Sequence, residues 1–198
     1  MNYRDFIYHG SEERNIEYKS SMSWKDIETK TKVVIACLAM ANIPDGGVLI
    51  FGVDETPNGI FQANGMKEED VDSFNQDHIS AYVNNFADPY VDIKVNKEIT
   101  EDGNIFVIIQ IQEFNEFPVV CKREGCKGIH CGAIYTRPRR KIESVPVPSQ
   151  NEMREIIDLA IDKKMRKIHE DLYKWGITNN QTYQESSEQR FDEQLGGL

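Results

Sequence analysis

Apolar and charged residues alternate at Ile16, Glu17, Tyr18 and Lys19. Period two predicts a strand with one apolar and one charged face, and it puts Glu17 and Lys19 on the same side. Ser23 then opens a helix predicted over 23–41, with Trp24, Ile27, Thr31, Val34, Ile35 and Leu38 on one face. A short β-branched run over 48–53 predicts a buried strand. A second helix is expected over 67–86, with Val71, Phe74, His78, Ile79 and Tyr82 as its inner stripe and Asp88-Pro89 as its stop. Residues 90–100 alternate again, Glu101-Asp102-Gly103-Asn104 is a hairpin turn, and Ile105–Ile111 is apolar enough to be a central strand. Extended pieces follow at 117–120 and 132–137. A charged amphipathic helix is predicted over 149–175, with Met153, Ile156, Ile157, Ala160, Ile161, Met165 and Ile168 inward. This order predicts an α+β fold, helices packed on a mainly antiparallel or mixed sheet.

The stretch 42–55, Asn-Ile-Pro-Asp-Gly-Gly-Val-Leu-Ile-Phe-Gly-Val-Asp-Glu, organises the rest. Pro44-Asp45-Gly46-Gly47 is a turn, because proline presets one dihedral and glycine supplies positive φ. Gly52 interrupts the strand where another backbone or a ligand could approach. Asp54 and Glu55 then stand where the strand reaches the surface, placed either to hold a cation or to cap the turn that follows.

The 198 residues fit one domain with a tail. Residues 1–148 form the expected domain, 149–178 a helix packed on it or on a dimer partner, and 179–198 a polar tail expected to be disordered. The formal net charge of −10 argues against generic coating of polyanions, though not against a local basic groove. No apolar run reaches membrane-spanning length. The N-terminus lacks a signal-peptide pattern, and four cysteines do not suggest a secreted disulfide scaffold. The expectation is a cytoplasmic protein without a membrane partner.

Three groupings could carry chemistry. Glu12, Glu17, Lys19 and Asp54 combine three carboxylates with an ammonium. Converging carboxylates repel unless a proton or cation lies between them, and Mg²⁺ or Mn²⁺ favours such oxygens. The plainer alternative is a solvated, salt-bridged strand face. Cys121, Cys126, His130 and Cys131 supply the thiolate and imidazole ligands of a zinc tetrahedron if the loop folds back through Gly125 and Gly128; free thiols in a hairpin loop are the alternative. Finally, Lys122, Arg123, Lys127, Arg137, Arg139, Arg140 and Lys141 make 119–142 locally basic, as phosphate contact requires. Tyr135 could stack a base or belong to the core.

Glu12, the step Glu17-Tyr18-Lys19, a helix closing on Ala41-Asn42, and Gly46-Gly47-Val48-Leu49-Ile50-Phe51-Gly52-Val53-Asp54 together resemble the Schlafen AlbA-like domain. Gly132 to Arg137, with Tyr135 and Arg137 in place, fits the family's later Gly-x-Tyr-x-Arg strand, and a helix carrying Glu152 and Glu155 fits more loosely. The resemblance implies one of two activities. Some members are metal-dependent endoribonucleases that cut tRNA or rRNA with an acidic trio, here Glu12, Glu17 and Asp54 (or Glu55) beside Lys19. Many bacterial members are described as DNA-binding or regulatory domains. The nuclease members pair two lobes into a clamp, and this chain has one, so a homodimer would supply the second. The first expectation is therefore an Mg- or Mn-dependent endoribonuclease acting on structured, tRNA-like RNA, favoured over DNA. The second is a non-catalytic module binding nucleic acid or a protein partner, in regulation or in defence against foreign genetic elements. No Gly-x-x-x-x-Gly-Lys-Ser/Thr loop is present, so nucleotide binding ranks last.

Overall fold

Residues 3–177 are described by the computed structural model. In chain order its elements are α1 (Tyr3–Ile7), β1 (Ile16–Lys19), α2 (Ile27–Met40), β2 (Gly47–Phe51), β3 (Val53–Glu55), β4 (Phe61–Ala63), α3 (Glu68–Val71), α4 (Gln76–Asn84), β5 (Ala87–Asp88), β6 (Ile93–Ile99), β7 (Ile105–Ile111), β8 (Val120–Cys121), β9 (Tyr135–Thr136), β10 (Val145–Pro146) and α5 (Gln150–Lys174). The main sheet runs β1-β2-β7-β6. β1 and β2 are parallel, with Glu17 opposite Leu49, while β2, β7 and β6 pair antiparallel. Parallel neighbours need a long crossover, and α2 provides it. The fold is the expected α+β arrangement around a mixed sheet. Three two-stranded pairs, β3-β4, β5-β8 and β9-β10, complete it.

Alternation along β1 and β2 sorts the two faces of the sheet. Ile16, Tyr18, Val48, Ile50, Phe106 and Ile108 join Ile7 and Val53 in one apolar cluster. Glu17 and Leu49 point the other way, toward the side covered by α2, which also packs on β9. Both sides of β2 are covered, so all five of its residues are buried. At Gly52, with φ of 104°, a Cβ would lie 2.9 Å from the carbonyl carbon of Gly65. The approach expected there is thus made by the chain's own backbone: the Gly65 amide donates to the Gly52 carbonyl over 2.9 Å. The strand expected to be continuous over 48–53 breaks at this glycine into β2 and β3.

Other expectations change in detail. The helix predicted from Ser23 begins at Ile27 with Asp26 as N-cap, and Ile27 is exposed. The helix expected over 67–86 is two, α3 and α4, because the Asn75 side chain accepts from the amides of Asp77 and His78 and starts a new helix. His78 is consequently exposed, not on an inner stripe. Of the stripe expected to face inward on α5, only Ile156 is buried; Ile157, Ile161, Met165 and Ile168 are exposed. Helical periodicity identifies an apolar face without identifying what covers it.

The chain divides into two units, Met1–Leu159 and Ala160–Leu198. The first holds the sheet and core; the described part of the second is the distal portion of α5 and the three residues after it. The tail expected to be disordered lies outside the described residues. Among the described residues no helix is long and apolar enough to cross a membrane.

Candidate functional site

β1 fixes the centre of the site. Glu17 and Lys19 share a face, as period two requires, and the Lys19 ammonium contacts Glu17 Oε1. The other oxygen, Oε2, accepts from Arg137 Nη1. Arg137 follows β9 and is 1% exposed. Its Nη2 donates to the Glu13 carbonyl at 3.1 Å, and its Nη1 also reaches Ser144 Oγ at 3.3 Å. Arg137 therefore crosses from the end of β9 to β1 and neutralises the buried oxygen of Glu17 that Lys19 does not reach. A phosphate ligand must be accessible, so Arg137 is not the nucleic-acid contact that its basic neighbourhood suggested.

Glu12 sits just upstream, half-buried, with Oε1 accepting from the Tyr18 amide at 2.8 Å. Burial, reinforced by the nearby charge of Glu17, pushes the Glu12 carboxyl above its ordinary range, while the Tyr18 amide pulls the other way. On the α2 side, burial pushes the Cys37 thiol up, and the charge of Glu17 adds to this. Asp54 lies on β3, where Oδ2 accepts from Asn64 Nδ2 at 2.8 Å across the β3-β4 pair. Glu55, the alternative third acid, is exposed at the end of the same strand. Glu12, Glu17 and Lys19 are brought together at β1, then, while Asp54 is held by a different partner.

The fit to a divalent cation is decided by these contacts. Both oxygens of Glu17 already face cations, one Glu12 oxygen faces an amide, and Asp54 Oδ2 faces the Asn64 amide. Among the described residues no group of three or more His, Cys, Asp or Glu side chains is gathered so as to hold a metal ion. The side chains as arranged do not fit Mg²⁺ or Mn²⁺.

The same holds for the cysteine loop. Cys121 is buried and donates its thiol to the Arg123 carbonyl at 3.2 Å, while Cys126 and Cys131 are exposed. Glu124 closes the loop: Oε2 accepts from the Cys131 amide at 2.8 Å and Oε1 lies 3.1 Å from His130 Nδ1. The Cys131 amide, then His130, holds the Glu124 carboxyl below its usual range. The four expected zinc ligands are not gathered into a tetrahedron; a carboxylate organises the turn instead. Tyr135 is 1% exposed and its hydroxyl accepts from the His130 amide at 2.8 Å, so it is core and not a base-stacking platform.

Of the remaining basic residues, Arg139 pairs with Glu155 at 2.9 Å and Lys141 with Glu143 at 2.6 Å. Lys122, Arg123, Lys127 and Arg140 are exposed. Lys122 and Arg123 follow β8, with the Lys122 amide donating to the Phe86 carbonyl and the Arg123 guanidinium 5.5 Å from the Phe86 ring centre. Packing on a ring steadies that side chain while leaving its N–H groups available.

Two residues have structural roles that the sequence pattern does not assign. Asn42 is 1% exposed; its Nδ2 donates to the carbonyls of Leu38, Val119 and Tyr135, and its Oδ1 accepts from the Val119 amide at 2.7 Å. Asn at the end of an apolar helix was the available signal, since a polar side chain buried there must find partners. Arg14 makes a two-pronged pair with Glu155 at 2.7 and 2.8 Å and donates Nε to the Arg137 carbonyl at 2.6 Å. Nothing in the polar run around Arg14 pointed to this.

The Arg14 clamp, with Arg139 assisting, holds the Glu155 carboxyl down to about 2. A lowered folded-state value stabilises the fold above the ordinary carboxyl range and loses that effect as pH falls toward the folded value. Glu155→Gln is expected to cost about 1–2 kcal/mol at pH 7. The difference from wild type should shrink between pH 4.5 and about 2. Urea unfolding of both proteins at pH 7 and pH 3 checks this, and a pH-independent difference would contradict it.

The chain matches the Schlafen, AlbA_2 family over residues 12–146. Among solved structures it is similar to the DIP2311 protein from Corynebacterium diphtheriae, with 15% identity and a TM-score of 0.45 over 72% of this chain and 23% of that one. It is also similar to the N-terminal domain of a RecG-related protein from Nitrosomonas europaea, with 19% identity and a TM-score of 0.42 over 72% of this chain and 95% of that one. This chain thus spans under a quarter of the Corynebacterium protein. No curated protein matches. With its β1 acid-lysine step, its Gly-Gly turn into β2 and its Tyr-x-Arg strand inside a match that covers well over half of its length, the chain belongs to the Schlafen, AlbA_2 family.

Proposed function

We propose that this protein acts on nucleic acid as a binding module, through the exposed cations Lys122, Arg123, Lys127 and Arg140. The observation that carries the reading is their exposure in a chain whose net charge is −10, with Arg123 supported on Phe86. Four accessible cations suffice for weak, salt-sensitive contact with a phosphate backbone. Arg139 and Lys141 adjoin Arg140 in sequence, each engaged by one carboxylate and exposed enough to share. Structured RNA is favoured over DNA as the partner, and regulation or defence as the setting.

A second reading is an endoribonuclease acting on tRNA-like RNA. One observation favours it: Glu12, Glu17 and Lys19 meet at the end of β1, where burial pushes the Glu12 carboxyl above its ordinary range. A metal-dependent form would require Glu17 to exchange Arg137 and Lys19 for an ion and Asp54 to leave Asn64.

Incubating the protein with tRNA, single-stranded DNA and double-stranded DNA, in Mn²⁺ and in EDTA, separates the two. Retarded mobility without cutting supports the binder. Cutting in Mn²⁺ that is lost in Glu12→Gln, in a protein still folded, supports the nuclease. For the binder, replacing Lys122, Arg123, Lys127 and Arg140 together by Ala should weaken binding at least tenfold. It should also reduce the slope of log affinity against log salt by roughly one per lost contact.

A further inference from the structure

The distal part of α5 carries Ile161, Met165, Ile168 and Leu172, followed by Trp175 just past its end, at steps of four, three, four and three residues. That is the alternating spacing of a coiled-coil seam, not the looser stripe of a helix lying on a globular core. Ile161, Met165, Ile168 and Trp175 are 52%, 59%, 41% and 71% exposed and Leu172 is half-buried, so most of the seam is open among the described residues. We infer that this seam pairs with the same seam of a second copy of the chain, antiparallel, and so makes a dimer.

Charge selects both the occupant and the direction. The positions flanking the seam are Asp162, Lys164, His169 and Asp171. Antiparallel pairing stacks Met165 on Ile168 and Ile161 on Leu172 of the second copy. It also sets Lys164 against Asp171 twice and Asp162 against His169 twice. Parallel pairing would set Lys164 against His169, with no opposite charge gained. Flanking charges decide orientation in such pairs, and only the antiparallel arrangement brings the opposite charges of Lys164 and Asp171 together. The seam covers only about two heptads, so the dimer is expected to be concentration-dependent.

Sedimentation of the full chain from 1 to about 200 μM tests it. A monomer–dimer equilibrium is expected, with Ile168→Glu monomeric throughout and its circular dichroism unchanged, because Ile168 supports no core. Lys164→Glu should weaken association about tenfold. Adding Asp171→Lys to it should restore association, since the two positions face each other only in the antiparallel pair. A wild type that is monomeric at every concentration, an Ile168→Glu protein that still dimerises, or a double variant without rescue would each overturn the proposal.

Discussion

Arg137→Met is expected to destabilise the protein by about 3–5 kcal/mol, the range for removing one partner of a buried ion pair. Glu17 is buried, and Arg137 is the partner that closes its Oε2 while also tying the end of β9 to the Glu13 carbonyl. Without the guanidinium, the Glu17 carboxylate keeps Lys19 on one oxygen and nothing on the other. Removing both charges, as Glu17→Leu with Arg137→Met, should recover most of the loss, because a buried pair adds little over apolar residues of similar size. Urea unfolding of the two single variants and the double variant measures the coupling. A cost below about 1 kcal/mol for Arg137→Met would show that the pair is peripheral to the fold.

Asn42→Leu is the second large effect, expected at about 3–4 kcal/mol because several buried peptide groups lose their partners at once. The side chain joins the end of α2 to the Val119 peptide beside β8 and to the Tyr135 carbonyl of β9. Leucine fits the volume but leaves the Val119 amide and carbonyl and the Tyr135 carbonyl without that partner. Asn42→Asp should be comparably harmful, because a carboxylate cannot donate to the three carbonyls. Unfolding free energies by urea, with near-ultraviolet circular dichroism to report packing, check both variants. A loss under about 1 kcal/mol would mean water replaces the amide.

These two residues mark the boundary of what the chain's pattern revealed. Ile105–Ile111 was legible to the residue because six of its seven residues are apolar, mostly β-branched, and a hairpin turn leads in. The Glu17–Lys19 contact was equally legible, since it follows from alternation within one strand. The break between α3 and α4 was missed because helical periodicity continues through it; Asn75 was the cap that should have ended the run. Arg137 was read outward because its neighbours Arg139, Arg140 and Lys141 are basic. Its true partner lies 120 positions away on another strand, and no local pattern encodes that pairing. The same limit applies to Asp54. A strand end can place a carboxylate at the surface, but only the β3-β4 pairing decides that it meets Asn64.

The site consequently divides by burial. Glu17, Arg137 and Asn42 hold β1, β8, β9 and α2 together, while Lys122, Arg123, Lys127 and Arg140 face outward. Glu12 stands between the two groups, a half-buried carboxyl beside an ion pair. Its position makes it the residue most informative for the nuclease reading.

Fluorescence anisotropy of a labelled tRNA, titrated at 50 mM salt with wild type, with the Lys122, Arg123, Lys127 and Arg140 alanine variant, and with the Glu17→Leu, Arg137→Met double variant, tests the central claim most directly. Saturable binding by wild type and the double variant, lost in the alanine variant, is the expected result. Binding that survives the loss of the four outward cations but disappears with the buried pair, in a protein still folded, would contradict it.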